Sequence, residues 1–419
     1  MHFPDRERRF GPNRLDQLAR SGDLAIRRQA TWECRLGVSA YSLFYFEAYI
    51  LTRLYYLDNL RSFAMLMGIF VHVTTLAHFG WLEFVATASN HFRMGTFFAV
   101  SGFFAGMLLT RRSVGSFLMA RFQSLGIPLM FGLLILNPIT LLMIYNWRGG
   151  SAGLDQLGDL ILLSFGSESG VQGHFVWHLH LWFLISLLCY TCAAPLVLRV
   201  ADRLGIPVWL SRMTAKIPTV ILALVVALVI SVTVAVWRVL FDRLEIVWHV
   251  PWLVRATFSY SPYYVLGLLL HGQRVLWDRL HRVDALLIAV VIGLWVLPTL
   301  PGNIGKLEII LRRELTVCAS LFSLMAIFQA LFSKPGRLGT LLADSIYTVY
   351  LLHYMMIYIL AFALRPVLPD GSSQQFWVIS LLTAMVTLIL HQIIQRHAPW
   401  VLFVLNGRKV TKAKTTAAV

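Results

Sequence analysis

Arg61 and His72 stand eleven residues apart in a stretch that is otherwise apolar. On a helix rising about 1.5 Å per residue they lie roughly 16 Å apart along the axis, and eleven residues make almost three full turns. Both side chains therefore project from nearly one face. Ionisable groups inside apolar segments are costly and by default mark a functional path. A deep imidazole can serve as a general base near neutral pH; the alternative is a neutral ring bonded to a neighbouring helix.

Other polar side chains recur at comparable depth. His353, in Tyr350-Leu351-Leu352-His353, sits roughly 12–14 Å from the start of its segment. Asp344, near that start, reads as a helix N-cap. Ser101 precedes Gly102, a small pair that suits either close helix packing or a catalytic hydroxyl. His178 and His180 diverge by about 200° on a helix, a poor metal pair, so one can face a cavity while the other meets the interface. Trp182 beside them fits an interfacial anchor. Arg121, seven residues before Pro128, could meet a phosphate-bearing ligand. Arg93 is poorly explained by topology and suits a carboxylate, or a loop carbonyl. The candidate catalytic set is His72, Arg61, Ser101 and His353. Arg61 and Arg121 form the candidate co-substrate cradle, and Arg93, Asp58, Tyr350, His180 and Trp182 the candidate substrate contacts.

The elements that must position these residues are membrane helices. Of the 419 residues 58% are hydrophobic and 13% charged, far from the roughly 45–50% and 25% of soluble domains. Ten apolar segments approach spanning length: 62–82, 94–110, 125–145, 176–198, 217–240, 250–271, 284–301, 314–333, 343–364 and 376–395. The pattern predicts an all-α polytopic bundle. With the N-terminus inside, 27 of the 36 Lys and Arg fall on the cytoplasmic side and 9 on the other, which places both termini in the cytoplasm. The net charge of +16 is then mostly topology, and nucleic-acid binding is excluded as its cause.

Residues 1–52 read as a basic extension, a surface-lying or disordered tail followed by an apolar stretch, Leu36 to Leu51, on the membrane surface. They carry no secretory-signal pattern. Residues 53–395 form the transmembrane domain and 396–419 a basic cytoplasmic tail. Cys34, Cys189, Cys192 and Cys318 give no disulfide framework, and Cys189 and Cys192 read as small packing residues within a span. No metal-ligand cluster or nucleotide-binding motif occurs, and nothing speaks against a homo-oligomer.

Four of these motifs, in order, resemble the acyltransferase-3 family of integral membrane acyltransferases. They are Arg61 with His72; Phe97-Phe98 leading to Ser101-Gly102-Phe103; Arg121 before Ile127-Pro128; and Tyr350 with His353. The likeness covers residues 53–395 and within the family is strongest to members that succinylate osmoregulated periplasmic glucans. Ser124 stands where the family often has a second arginine, and the first fifty residues have no counterpart. The resemblance implies an inner-membrane enzyme moving an acyl group from a cytoplasmic acyl-CoA, succinyl-CoA in the closest case, to a glycan hydroxyl outside. His72 would then be the base, Arg61 and Arg121 would hold CoA phosphates, and Ser101, Tyr350 or His353 would face the oxyanion. No permanently bound cofactor or metal is implied. Direct transfer and an acyl-enzyme both stay open. A transporter or flippase for a glycan or anionic lipid is the other reading, but 53–215 and 216–395 show no repeat of each other.

Overall fold

The computed structural model describes residues 54–166, 176–206, 217–245, 250–273, 285–296 and 306–407. The chain divides into units Met1–Leu54 and Tyr55–Val419, and all described residues but Leu54 belong to the second. The expected basic extension and half of the C-terminal tail, residues 408–419, lie outside the described residues.

Every described element is helical: α1 (Tyr55–Val73), α2 (Glu83–Asn90), α3 (Arg93–Arg111), α4 (Val114–Trp147), α5 (Leu157–Gly166), α6 (Trp182–Arg203), α7 (Thr219–Glu245), α8 (Trp252–Leu270), α9 (Ala285–Val296), α10 (Lys306–Phe332), α11 (Arg337–Leu364), α12 (Ser373–His397) and α13 (Pro399–Asn406). Each of the ten expected spans falls on a helix. Among the described residues seven helices are long and apolar enough to cross a membrane. The other three differ for visible reasons: α1 carries Asp58 and Arg61, α8 carries Arg255 with a Tyr/Ser run, and α9 is 12 residues long. Arg255 pairs with Asp242 at 3.1 Å and Glu245 at 2.5 Å.

Three expectations change. The first span, expected over 62–82, is α1 and ends at Val73. The hydroxyls of Thr74 and Thr75 donate to the carbonyls of Val71 and His72, at 2.7 and 2.6 Å, where a helix end leaves acceptors free. Asp344 is no N-cap, because α11 begins two turns earlier behind Gly336. Cys189 and Cys192 are exposed on α6 rather than packed inside.

The outward faces are apolar. Leu381, Met385, Ile389 and Ile393 form an exposed stripe along α12, and Leu228, Val229, Val232 and Val236 do so on α7. In water such faces are a liability; in hydrocarbon they cost nothing. Inside, α1 packs against α3, α10, α11 and α12. Ile69 and Val73 of α1 join Ile144 and Trp147 of α4, Ile357 and Tyr358 of α11, and Phe376 of α12 in one buried cluster around the end of α1.

Helices α3 and α8 approach closest. A Cβ on Gly102 would stand 2.0 Å from the carbonyl oxygen of Tyr264, and one on Gly267 1.8 Å from that of Ala99. The pair is backbone against backbone, as small residues permit. Gly102→Ala should therefore overpack this contact by about 1–3 kcal/mol and lower the thermal midpoint of the purified protein. Gly115→Ala, whose Cβ would meet nothing within 4 Å, should leave it unchanged or slightly raised.

Candidate active site

The site starts with irregular backbone. Pro128 and Pro138 lack an N–H for the carbonyls of Ser124 and Leu134, four residues earlier. Both of those positions lie inside π-helical turns, Phe122–Gly126 and Gly132–Leu136. The wider turns rotate the next stretch of helix and shed the missing bonds. Ser124 donates its hydroxyl to the Arg121 carbonyl at 3.3 Å, so it serves the turn that presents Arg121. Gly132, in the second turn, clears space for Leu181, whose Cδ1 would lie 2.6 Å from a Cβ there.

Leu181 ends the short 3-10 turn Leu179–Leu181. Leu179 has φ +42°, a conformation non-glycine residues rarely adopt. Asn137 holds the approach by donating its amide to the Trp177 carbonyl at 2.8 Å. This strained turn delivers His180 into the protein.

There His180 meets His353 and His72, with ring centroids 5.0 Å apart for His180–His353, 5.1 Å for His72–His353 and 5.9 Å for His72–His180. Tyr354 adds a ring 4.5 Å from His72. A single backbone carbonyl orders two of the imidazoles. The Tyr350 oxygen lies 3.1 Å from His180 Nε2 and 2.7 Å from His353 Nδ1. A carbonyl only accepts, so both nitrogens carry protons, and the opposite nitrogens of neutral rings hold lone pairs. Those two, His180 Nδ1 and His353 Nε2, are buried with no hydrogen-bond partner in the structure. Tyr350 closes the arrangement by donating its hydroxyl to the His180 carbonyl at 2.8 Å.

His72 is the half-buried member, whereas His180 and His353 are buried. Its place is fixed by Thr75, which takes up the His72 carbonyl and meets the Tyr358 hydroxyl at 3.0 Å. Among the described residues no three His, Cys, Asp or Glu side chains could hold a metal ion.

The other end of α1 is basic. Arg61, Ser101, Arg121, Thr191, Tyr264 and Tyr347 line one narrow cavity, whose wall contains no carboxylate among the described residues. The Nε atoms of Arg61 and Arg121 are buried with no hydrogen-bond partner in the structure. Arg61 lies over Phe97 at 5.3 Å and Phe104 at 5.5 Å. Two guanidiniums without an acid in the wall make a place for an anion.

Between the ends, Arg93 presses a guanidinium nitrogen to 2.9 Å from where a Gly68 Cβ would sit, one turn before His72. Its Nε is also buried and unpaired, and its Nη2 meets Asn90 at 3.4 Å. Rings connect the two centres: Arg61 over Phe97, Phe97 to Phe183 at 4.4 Å, Phe183 to Tyr350 at 5.9 Å and Tyr350 to His180 at 5.2 Å.

Of the ten sequence candidates, His72, His180, His353 and Tyr350 come together. Arg61, Arg121 and Ser101 share the second centre, which puts Ser101 away from the histidines. Asp58 lies in the first turn of α1, roughly 21 Å along the axis from His72. Trp182 contacts Phe98, Phe183, Trp252 and Tyr260 instead of the histidines. Sequence reasoning missed Tyr354, Tyr264, Tyr347 and Gly68. Gly68 shares the face of Arg61 and His72, at i+7 and i−4, and that spacing could have revealed it. It also missed Glu314, buried on α10 and accepting the Tyr263 hydroxyl.

The acyltransferase domain family matches residues 54–396. The chain belongs to this family of acyltransferases. Similar curated relatives are glucans biosynthesis protein C of Escherichia coli O157:H7 (strain EC4115 / EHEC), 26% identical over 238 residues, and of Salmonella enteritidis PT4, 27% over 247. Each alignment covers 52% of this chain and 58% of the relative, so the chain spans little over half the length of the relatives it matches. No solved structure matches it. An acyltransferase needs an acyl donor and a nucleophile, and this multi-pass membrane acyltransferase has two separate polar centres that could receive them. The family also leaves the transporter reading without support.

Proposed function

We propose that this chain is an inner-membrane O-acyltransferase that carries an acyl group, succinyl in the reading favoured here, from acyl-CoA to a hydroxyl of a periplasmic glucan. The glucan and the succinyl group rest on the resemblance and on the relatives' names. One observation carries the chemistry: the same face of α1 bears Arg61 in a cavity lined, among the described residues, by no acid, and His72 beside the imidazoles of His180 and His353. Donor phosphates would sit at Arg61 and Arg121. The arm of the CoA would run along Phe97 and Phe183 over the roughly 16 Å to His72.

His72, the half-buried ring, would take the proton from the sugar hydroxyl. The oxygen attacks the thioester carbon, the C–S bond breaks, and the imidazolium returns its proton to the departing thiolate. The carbonyl end of α1 favours that imidazolium while it exists. The neutral tautomers of His180 and His353 offer acceptors to the sugar hydroxyls. Their N–H groups and the Tyr350 hydroxyl are already donated to carbonyls, so the oxyanion roles expected for Tyr350 and His353 lose their donors. Arg93 would hold the carboxylate of a succinyl chain.

The topology proposed with this is ten spans with both termini cytoplasmic, supported by the 27-to-9 distribution of basic residues. A cysteine placed at Ser151 should react with an impermeant reagent added outside, and one at Ser333 should not; the reverse pattern rejects the orientation.

The two arginines make a test of the donor. Arg61→Ala should weaken binding of succinyl-CoA and acetyl-CoA alike, whereas Arg93→Ala should impair succinyl transfer and spare acetyl transfer. A charge-assisted bond contributes about 1.5–3 kcal/mol, so the discrimination should be roughly ten- to a hundredfold. Rates with both donors for both variants decide it. Equal loss with both donors in Arg93→Ala would make Arg93 a structural residue and remove the succinyl argument from it.

A further inference from the structure

Beside the histidines runs a series of rings that the transfer chemistry does not use. Phe165 stacks on Trp177 at 5.3 Å and 17°, and Trp177 meets His178 edge-on at 5.2 Å. His178 stacks on Trp252 at 6.0 Å and 17°, Trp252 meets Trp182 at 5.3 Å, and Trp182 meets Tyr260 at 5.7 Å. These six residues come from α5, the stretch that leads through the strained turn into the start of α6, and α8, so three separate segments converge to build one ribbon. It passes beside the candidate active site, because His178 immediately precedes the turn that carries His180.

We propose that this ribbon is a docking track for a glycan chain, seating pyranose rings that neighbour the one being acylated. The proposal rests on the reading of the acceptor as a glucan. A glucopyranose with equatorial hydroxyls presents faces of C–H bonds, polarised positive, and a rim of hydroxyls. Aromatic faces carry the complementary negative charge. Trp252 is 53% exposed and Phe165 62% exposed. His178 stacks on Trp252 and Trp177 stacks on Phe165, and Trp252 and Phe165 each keep more than half of their surface exposed. Hydrogen-bonding groups interleave with the rings, as a hydroxyl rim requires. His178 is one, and the Tyr260 hydroxyl, accepting from Arg313 Nη2 at 3.1 Å, is another.

Membrane-interface anchors account for scattered Trp and Tyr around a bundle. They do not account for six rings in successive stacked, tilted and edge-on contact, with a buried histidine in the middle, two residues from His180. A lone anchor would also act without regard to the length of a sugar chain, whereas a track gains contacts with each added ring.

The test uses the full chain in lipid nanodiscs, with end-labelled β-linked gluco-oligosaccharides, a disaccharide and an octasaccharide, as probes. Equilibrium binding should favour the octasaccharide. Trp252→Leu should reduce that preference by roughly three- to tenfold, and Trp252→Phe, which keeps a ring, should restore most of it. If Trp252→Leu does not fold, Phe165→Leu at the other exposed end supplies the same comparison. Equal binding of both lengths by the unaltered protein, or an unchanged preference in the leucine variant, overturns the track. Acyl transfer to the same sugars is measured alongside. Its absence with the length preference intact would reject the acceptor reading and leave the track, whereas transfer without length preference would do the opposite.

Discussion

The carbonyl of Tyr350 accepts from two imidazoles at once, and the arrangement of the candidate active site depends on that shared acceptor. It fixes which nitrogen of His180 and which of His353 holds the proton. It also ties the turn before α6 to the interior of α11, with the Tyr350 hydroxyl closing the loop onto His180. Buried imidazoles without partners would be costly, and each here satisfies one nitrogen and leaves one open. A turn that bends through φ +42° at Leu179 is strained, and persists where surrounding contacts over-determine it. The Asn137 bond, the Gly132 clearance and the paired Tyr350 bonds are those contacts.

Helix α1 converts that local order into a path. Residues 61, 68 and 72 lie on one face, and the surrounding bundle gives each its own neighbourhood: a basic cavity, a buried guanidinium and an imidazole cluster. A soluble enzyme can let its co-substrate and acceptor approach from one solvent. A membrane enzyme with a charged donor on one side must draw the reacting end inward while the phosphates stay behind. Two centres about three helical turns apart, joined by an aromatic wall, have the geometry that such a division demands.

Much of this was legible in the residues. The period of eleven from Arg61 to His72 survives as a shared helix face, and the apolar segments all become helices, because composition and helical periodicity are local properties. The end of α1 was not legible: Thr74 and Thr75 terminate it, yet the apolar run continues to Leu82. Nor was the separation of Ser101 from the histidines, which depends on how α3 rotates when Gly102 and Gly267 lock it against α8. The π turns left a readable trace in Pro128 and Pro138, although proline alone does not say whether a helix kinks, breaks or widens. The convergence of His72, His180 and His353 from two helices and the turn before a third is a tertiary fact, and no one-dimensional spacing encodes it.

The central claim is that His72 performs the transfer while the far end of α1 holds the donor. Single-turnover transfer of a labelled acyl group from succinyl-CoA to glucan, with donor binding measured in the same samples, compares purified wild type and His72→Ala directly. The expected result is labelled glucan from the wild type, and in the variant a rate lower by about 10²–10⁴ with donor binding intact. Transfer by His72→Ala within a few-fold of the wild-type rate would contradict the account.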